Sequence, residues 1–281
     1  MQLTRFSIIS FLIFNFSLFT ASAQHYYKDL WNNQLLTKEF AILRNENIRT
    51  VNVKSFEDNG EPSEGFFCEK RFDKNYTRSE MVSRSNITSQ SLLTTRYNNK
   101  GQIISTLDST SSTLNKSVYT YDEKDRIKTV TTFTRADDDH NGGLAETREY
   151  SYDASGKPQK MIRKKNDADY STTTFTLDEK GNVIEELEKG RAGDKKYYYY
   201  YDDKNHLTDV VHYNDIAKRL LPDYMYEYNG SGQIKQMIST AEGASNYFIW
   251  RYTYNDLRLR DTEKCLSKEK RLLGSIQYVY K

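Results

Sequence analysis

The stretch KKYYYYYDDKNHL, residues 195–207, contains five consecutive tyrosines and sets the architecture that the sequence predicts. Its first, third and fifth tyrosines, Tyr197, Tyr199 and Tyr201, are two residues apart, which places them on one face of a β-strand. The second and fourth tyrosines then point to the opposite face. Asp202 follows the run, and aspartate begins tight turns by bonding its own backbone. The stretch therefore predicts a strand, a turn and a second strand that begins near Leu207.

The same strand and turn recur along most of the chain, at intervals of 24 to 31 residues. Each copy has an anchor residue, usually aromatic, with Asp or Asn usually after it. The anchors are Phe72, Tyr97, Tyr121, Tyr152, Leu177, Tyr201, Tyr228, Tyr254 and Tyr280. In five copies an aliphatic residue lies six residues after the anchor: Ile103, Ile127, Val183, Leu207 and Ile234. In five copies another lies ten residues after the anchor: Leu107, Ile162, Leu187, Val211 and Ile238. Their even spacing predicts that both aliphatic residues share one face of the second strand.

These copies predict an all-β fold of tandem antiparallel β-hairpin repeats over residues 48–281, which form one long twisted or curled sheet. Residues 24–47 break the pattern, and their apolar residues predict a short helical cap on the N-terminal edge. An outer-membrane barrel is disfavoured because charged residues fall on both faces of the predicted strands. Those residues are Lys128, Arg148, Glu149, Lys160, Glu185, Glu188 and Asp209. The sequence leaves open whether the sheet is open or closed.

Several copies resemble a known repeat. The units YTYDEKDRI (119–127), YSYDASGKP (150–158), YYYDDKNHL (199–207) and YEYNGSGQI (226–234) resemble the YD repeat of the Rhs and teneurin family. FTLDEKGNV (175–183) carries leucine in place of the anchor tyrosine. The resemblance implies a sheet of successive hairpins that curls or spirals, and that encloses a toxin or forms a shell in the large members. With fewer copies here, we expect a short exported member without a toxin domain, so the resemblance implies a fold and not toxin delivery.

The N-terminal residues predict export. Arg5 precedes an apolar run that ends near Phe19, and Ala21-Ser22-Ala23 follows. This pattern is typical of a signal peptide, here residues 1–23. We therefore expect a periplasmic, cell-surface or secreted protein with no transmembrane segment after cleavage. The net charge of +2, from 41 basic and 39 acidic residues, gives no electrostatic reason to expect a nucleic-acid partner.

Two further features of the sequence suggest a disulfide and a calcium site. Cys68 and Cys265 are the only cysteines, and in an exported protein they form either one disulfide or two free thiols. In the longest interval, Asp137, Asp139 and Asn141 have the spacing of calcium ligands. The closing glutamate of such a loop is absent, so an exposed acidic loop is the alternative. Calcium is the one cofactor that the sequence suggests.

The predicted function is that of a non-enzymatic scaffold or binding module of the cell envelope. Tyrosine offers a flat apolar ring with a polar tip, which suits glycans and protein interfaces. We therefore take Tyr197, Tyr198, Tyr199, Tyr200 and Tyr201 as candidate binding residues for a glycan or an envelope protein. Aspartates at the repeat turns are interpreted as turn formers and not as catalytic groups. The alternative is a small enzyme or accessory factor whose site lies in the insertion at 135–149.

Overall fold

The computed structural model describes residues 26–136, 143–191, 193–214, 218–240 and 246–281. One helix, α1 (Tyr27–Asn45), precedes the strands. The strands are β1 (Thr50–Glu57), β2 (Phe67–Phe72), β3 (Arg78–Arg84), β4 (Ser91–Tyr97), β5 (Ile103–Ser109), β6 (Thr113–Tyr121), β7 (Ile127–Ala136), β8 (Leu144–Tyr152), β9 (Pro158–Lys165), β10 (Ala168–Leu177), β11 (Val183–Gly190), β12 (Lys195–Tyr201), β13 (Leu207–Asn214), β14 (Arg219–Tyr228), β15 (Ile234–Thr240), β16 (Tyr247–Tyr254), β17 (Arg260–Leu266) and β18 (Leu272–Tyr280). A search of the described chain for helices able to span a bilayer found none.

The 18 strands form a closed antiparallel β-barrel. Each strand pairs with its neighbours in the chain, and the first strand pairs with the last from Val51↔Tyr280 to Glu57↔Gly274. Strand β1 also pairs with β2, so it completes the ring although it lies outside the repeated units. The sequence prediction of one long twisted or curled sheet is therefore wrong, because hydrogen bonds between β1 and β18 leave the sheet without free edges.

A β-bulge recurs at the same place in seven of the hairpins. In one copy Tyr200 pairs with Asp209 while Tyr201 pairs with Leu207, so the second strand has one extra residue, Thr208. The equivalent irregularity occurs where β4, β6, β8, β10, β14 and β16 meet the following strand. Bulges bend a strand and increase its twist. A row of them along one end of the sheet therefore favours the curvature that closure requires.

The bulge also corrects the prediction about the aliphatic residues. An extra residue moves every later side chain of that strand to the other face. Leu207 and Val210 are therefore buried in the barrel, 4% and 0% exposed, whereas Val211 lies across from the outward Tyr198. The aliphatic residues that lie ten residues after an anchor thus face outward. The prediction that they share a face with the aliphatic residues six residues after the anchor is wrong.

The aspartates of the repeat turns are turn formers, as predicted. The Oδ1 atom of Asp122 accepts hydrogen bonds from the backbone N–H groups of Lys124 and Arg126 at 3.0 and 2.9 Å. Asp202 binds the N–H of His206 in the same way at 2.8 Å. The Arg126 side chain and these backbone donors lower the pKa of Asp122. We call the end of the barrel that carries these turns the aspartate-turn end, and the opposite end the far end.

Helix α1 lies inside the barrel. Trp31 contacts Tyr226 of β14 with ring centroids 5.3 Å apart, and Phe40 stacks on Tyr97 of β4 at 4.1 Å. On another side, Asp29 pairs with Arg148 of β8. A segment that contacts strands on several sides of a closed ring must lie within it. The helix predicted for residues 24–47 is present, but it crosses the lumen and does not cap a sheet edge.

Six anchor tyrosines make the same hydrogen bond to the wall of the barrel. Each hydroxyl donates to the carbonyl oxygen of the residue that opens the preceding strand, at 2.6–2.9 Å. The pairs are Tyr121–Ile103, Tyr152–Ile127, Tyr201–Val183, Tyr228–Leu207, Tyr254–Ile234 and Tyr280–Arg260. These bonds give the hydroxyl of each tyrosine a partner on the inner face, a role that phenylalanine could not fill.

Candidate functional site

The five consecutive tyrosines divide between the two faces of β12. Tyr197 and Tyr199 point into the barrel and are 4% and 2% exposed. Tyr201 is half-buried and donates to the carbonyl oxygen of Val183. Tyr198 and Tyr200 lie on the outer face, so only two of the five candidate binding residues are placed where a large external ligand could reach them.

Those two tyrosines are joined on the outer face by Tyr213 of β13, and we call Tyr198, Tyr200 and Tyr213 the outer tyrosine strip. Tyr198 lies across from Val211, which is two residues before Tyr213 on the same face. Tyr200 and Tyr213 are 49% and 45% exposed. The neighbouring outward side chains are a mixture of apolar and charged groups. The strip is therefore a set of exposed rings with polar groups at its border.

Inside the barrel, five charged side chains form what we call the inner charge cluster: Asp29, Glu146, Arg148, Arg163 and Glu188. Arg148 NH1 lies 2.6 Å from Asp29 Oδ2, and its Nε lies 3.8 Å from Glu146. Arg163 donates to Glu146 Oε2 through Nε at 2.8 Å and NH2 at 2.6 Å. Its NH1 is 3.6 Å from Glu188. The signs alternate along the cluster, which is how buried charges are tolerated.

A fourth acidic residue inside the barrel, Glu186, contacts the first residues of α1. Its carboxylate accepts hydrogen bonds from the backbone N–H groups of Tyr26 and Tyr27 at 2.8 and 2.9 Å. The Tyr199 hydroxyl donates to it at 2.7 Å. Burial raises the pKa of Glu186 to about 7, against the opposing effect of these three donors. The helix N-terminus is thus attached to β11 by a carboxyl group that changes charge near neutral pH.

The sequence contains a signal for the inward position of the inner charge cluster. Arg148 and Glu146 precede the anchor Tyr152 by four and six residues, so they share its inward face. Arg148 is 4% exposed and Glu188 is 6% exposed. The sequence prediction treats both as charges spread over the two faces of a sheet. Even spacing from an anchor was enough to place Arg148 inside the barrel.

The remaining site candidates are not brought together. Asp137, Asp139 and Asn141 lie outside the described residues, so the calcium hypothesis stays a prediction. Within the described residues no group of three or more His, Cys, Asp or Glu side chains could hold a metal ion. Cys68 and Cys265 are free thiols in this structure, and β1 and β18 lie between their strands.

Comparisons with solved structures include several distant likenesses. No protein family and no curated protein matches the chain. A porin-like protein from Bacteroides uniformis ATCC 8492 aligns with a TM-score of 0.39 and 11% identity, over 83% of this chain and 98% of that one. The TcdB2-TccC3-Cdc42 structure aligns with a TM-score of 0.36 and 18% identity, over 76% of this chain and 12% of that one. Likenesses this weak carry no argument about function, and the resemblance to the YD repeat stays a prediction.

Proposed function

We propose that the chain is an exported, non-enzymatic β-barrel of the cell envelope that binds a glycan through the outer tyrosine strip. The observation that carries the proposal is the exposure of Tyr200 and Tyr213, 49% and 45%, on a regular sheet surface. The inward tyrosines of the repeat are explained by packing and by hydrogen bonds to the wall. On the outer face, the Tyr198 ring lies 5.0 Å from Lys196 Nζ, whereas the rings of Tyr200 and Tyr213 extend into solvent. Flat rings bordered by polar groups suit the apolar faces and hydroxyls of sugars.

The charged residues on the outer surface favour a barrel whose outer face contacts water. Lys164 pairs with Glu149 at 2.8 Å, and Lys196 pairs with Glu185 at 2.8 Å, all on the outer face. A barrel wall in contact with lipid requires an apolar band around its circumference. Ion pairs in the middle of outward strand faces do not suit that environment. We therefore place the barrel, after export, in an aqueous part of the envelope or outside the cell.

The alternative of a small enzyme with a site at 135–149 receives no support from the described part of that segment. Residues 143–149 belong mainly to strand β8, where Arg148 and Glu146 are held by ion pairs. Glu149 is paired with Lys164 on the outer face. These side chains are engaged in the barrel wall, and residues 137–142 lie outside the described chain.

A glycan array with the purified chain, without residues 1–23, tests the proposal. We expect binding to a restricted set of glycans, and loss of that binding when Tyr198 and Tyr200 are both changed to serine. The matched control is Val118→Ser, because Val118 is an exposed outward side chain, 37% exposed, on the distant strand β6. Its binding should equal that of the original chain. Absence of glycan binding, or binding that survives in Y198S/Y200S, would overturn the proposal.

Export has a separate test. Residues 1–281, expressed in a bacterial host, should appear in the periplasmic or extracellular fraction, shortened at the N-terminus. A chain without residues 1–23 should remain in the cytoplasm. Recovery of residues 1–281 unshortened in the cytoplasm would contradict export while leaving the glycan measurement unaffected.

A further inference from the structure

We propose that a cavity at the far end of the barrel binds a small hydroxylated organic anion. The cavity has a volume of about 220 Å³ and lies where β9, β10, β11 and β12 end or begin. At roughly 30 Å³ per water molecule, it has space for about seven waters. This is the size range of a sugar acid or a sugar phosphate, and it is too small for an oligosaccharide.

The cationic side of the cavity consists of Arg163, Lys165 and Lys195. Arg163 is held by Glu146, at 2.6 Å from NH2, and its NH1 is 3.6 Å from Glu188, beyond hydrogen-bond length. Arg163 lines the cavity with its guanidinium 5.0 Å from the centre of the Tyr170 ring, so its positive charge lies at the cavity wall. Within the described chain, neither Lys165 nor Lys195 has an ion pair with a carboxylate, whereas Lys164, next to Lys165 in β9, pairs with Glu149.

The two lysines at the mouth of the cavity favour an anionic ligand there. Deeper inside, Glu146 and Glu188 face Arg163, and Asp29 pairs with Arg148. The two lysines supply two further positive charges at the mouth. Lys165 Nζ lies 3.9 Å from the centre of the Tyr170 ring, which holds this ammonium group over the cavity wall. A carboxylate or phosphate between the two lysines would complete the charge pattern.

The other wall suits hydroxyl groups. Ser171 and Glu188 are each 6% exposed and are hydrogen-bonded to one another. The Tyr26 hydroxyl also donates to Glu188, at 3.2 Å. Gly190 lines the same part of the cavity. A Cβ atom at this position would come within 2.6 Å of Ser171 Cβ, so there is no room for a side chain. A buried carboxylate beside a serine accepts hydrogen bonds from a ligand's hydroxyls and would repel a second anionic group, which sets the orientation of the bound molecule.

Thermal shift and titration calorimetry with the purified barrel test this site. The probes are glucuronate, glucose 6-phosphate, inorganic phosphate and neutral glucose, each at millimolar concentration in low salt. A ligand that binds only the folded chain must raise its melting temperature. We expect one or both sugar anions to raise the melting temperature. Neutral glucose and inorganic phosphate should bind with at least about tenfold lower affinity. The sugar anion that binds identifies carboxylate or phosphate as the recognised group.

Paired variants assign the binding to this cavity. Lys165→Gln with Lys195→Gln should weaken sugar-anion binding by about tenfold or more. Lys128→Gln with Lys160→Gln removes the same charge from other parts of the chain and should leave binding unchanged. The proposal is overturned if no sugar anion binds, if glucose binds equally well, if inorganic phosphate binds equally well, or if both double variants lose binding alike. None of these outcomes depends on the outer tyrosine strip.

Discussion

At the aspartate-turn end of the lumen, the anchor tyrosines and helix α1 fill the interior with rings, as in the stacking of Phe40 on Tyr97. Toward the far end, the inward positions of the same strands hold Arg148, Glu146 and Glu188 in alternating ion pairs. The backbone of the two ends is built from the same repeated hairpin. In this part of the barrel, positions next to the turn maintain the repeat and positions further along carry the charged groups. On the opposite side, the ion pair of Arg260 with the buried Glu263 lies close to the turn.

We expect the largest loss of stability from a substitution in the inner charge cluster. Arg148→Met leaves Asp29 and Glu146 buried without their shared partner, and removing one member of a buried ion pair costs about 3–5 kcal/mol. Urea unfolding should show this loss of stability. The double variant R148M/D29N should recover part of it, because the unpaired charge of Asp29 is then absent, while Glu146 keeps its pair with Arg163. An effect of R148M below about 1 kcal/mol would show that the cluster does not stabilise the barrel.

Glu186 lies at the junction of the two ends and should make stability depend on pH. Its pKa is raised from 4.5 to about 7, so the folded chain binds this proton more tightly than the unfolded chain. Its contribution is then fully present below about pH 4.5 and is lost as the pH rises through about 7. The shift corresponds to a loss of about 3 kcal/mol between those limits.

Glu186→Gln should flatten this part of the stability profile, measured by urea unfolding at intervals between pH 4.5 and 8. Glu185→Gln is the matched control, because Glu185 is the outward neighbour that pairs with Lys196. It should keep the slope of the original chain. An unchanged slope in E186Q would mean that another group titrates in this range.

The smallest effect is expected at the aspartate-turn end. Tyr228→Phe removes the hydrogen bond from its hydroxyl to the carbonyl oxygen of Leu207, at 2.7 Å. A single hydrogen bond of this kind contributes about 0.5–1.5 kcal/mol. Tyr200→Phe should have no measurable effect, because Tyr200 is exposed on the outer face. Equal unfolding energies for the two variants would show that the repeated tyrosine–carbonyl bonds do not contribute to stability.

The sequence by itself determined the local structure. Alternation of the tyrosines predicted the strands, and Asp122 and Asp202 predicted the turns, because both patterns depend on residues that are close in the chain. The inward position of Arg148 was also readable, from its even spacing to Tyr152. Tyr197 and Tyr199 could be assigned to the same face as Tyr201, although not to the inside of a barrel.

Only the tertiary structure decided the closure, the place of the helix and the grouping of the charges. Closure depends on the pairing of Val51 with Tyr280, residues at opposite ends of the repeat region, and a repeating pattern does not state where its first strand meets its last. The bulge after seven of the anchors reverses the face of every later residue in the following strand, which no periodicity of two can express. Asp29 reaches Arg148 only because the closed ring surrounds the helix. The physical reason is common to all three: each depends on contacts between residues far apart in the chain.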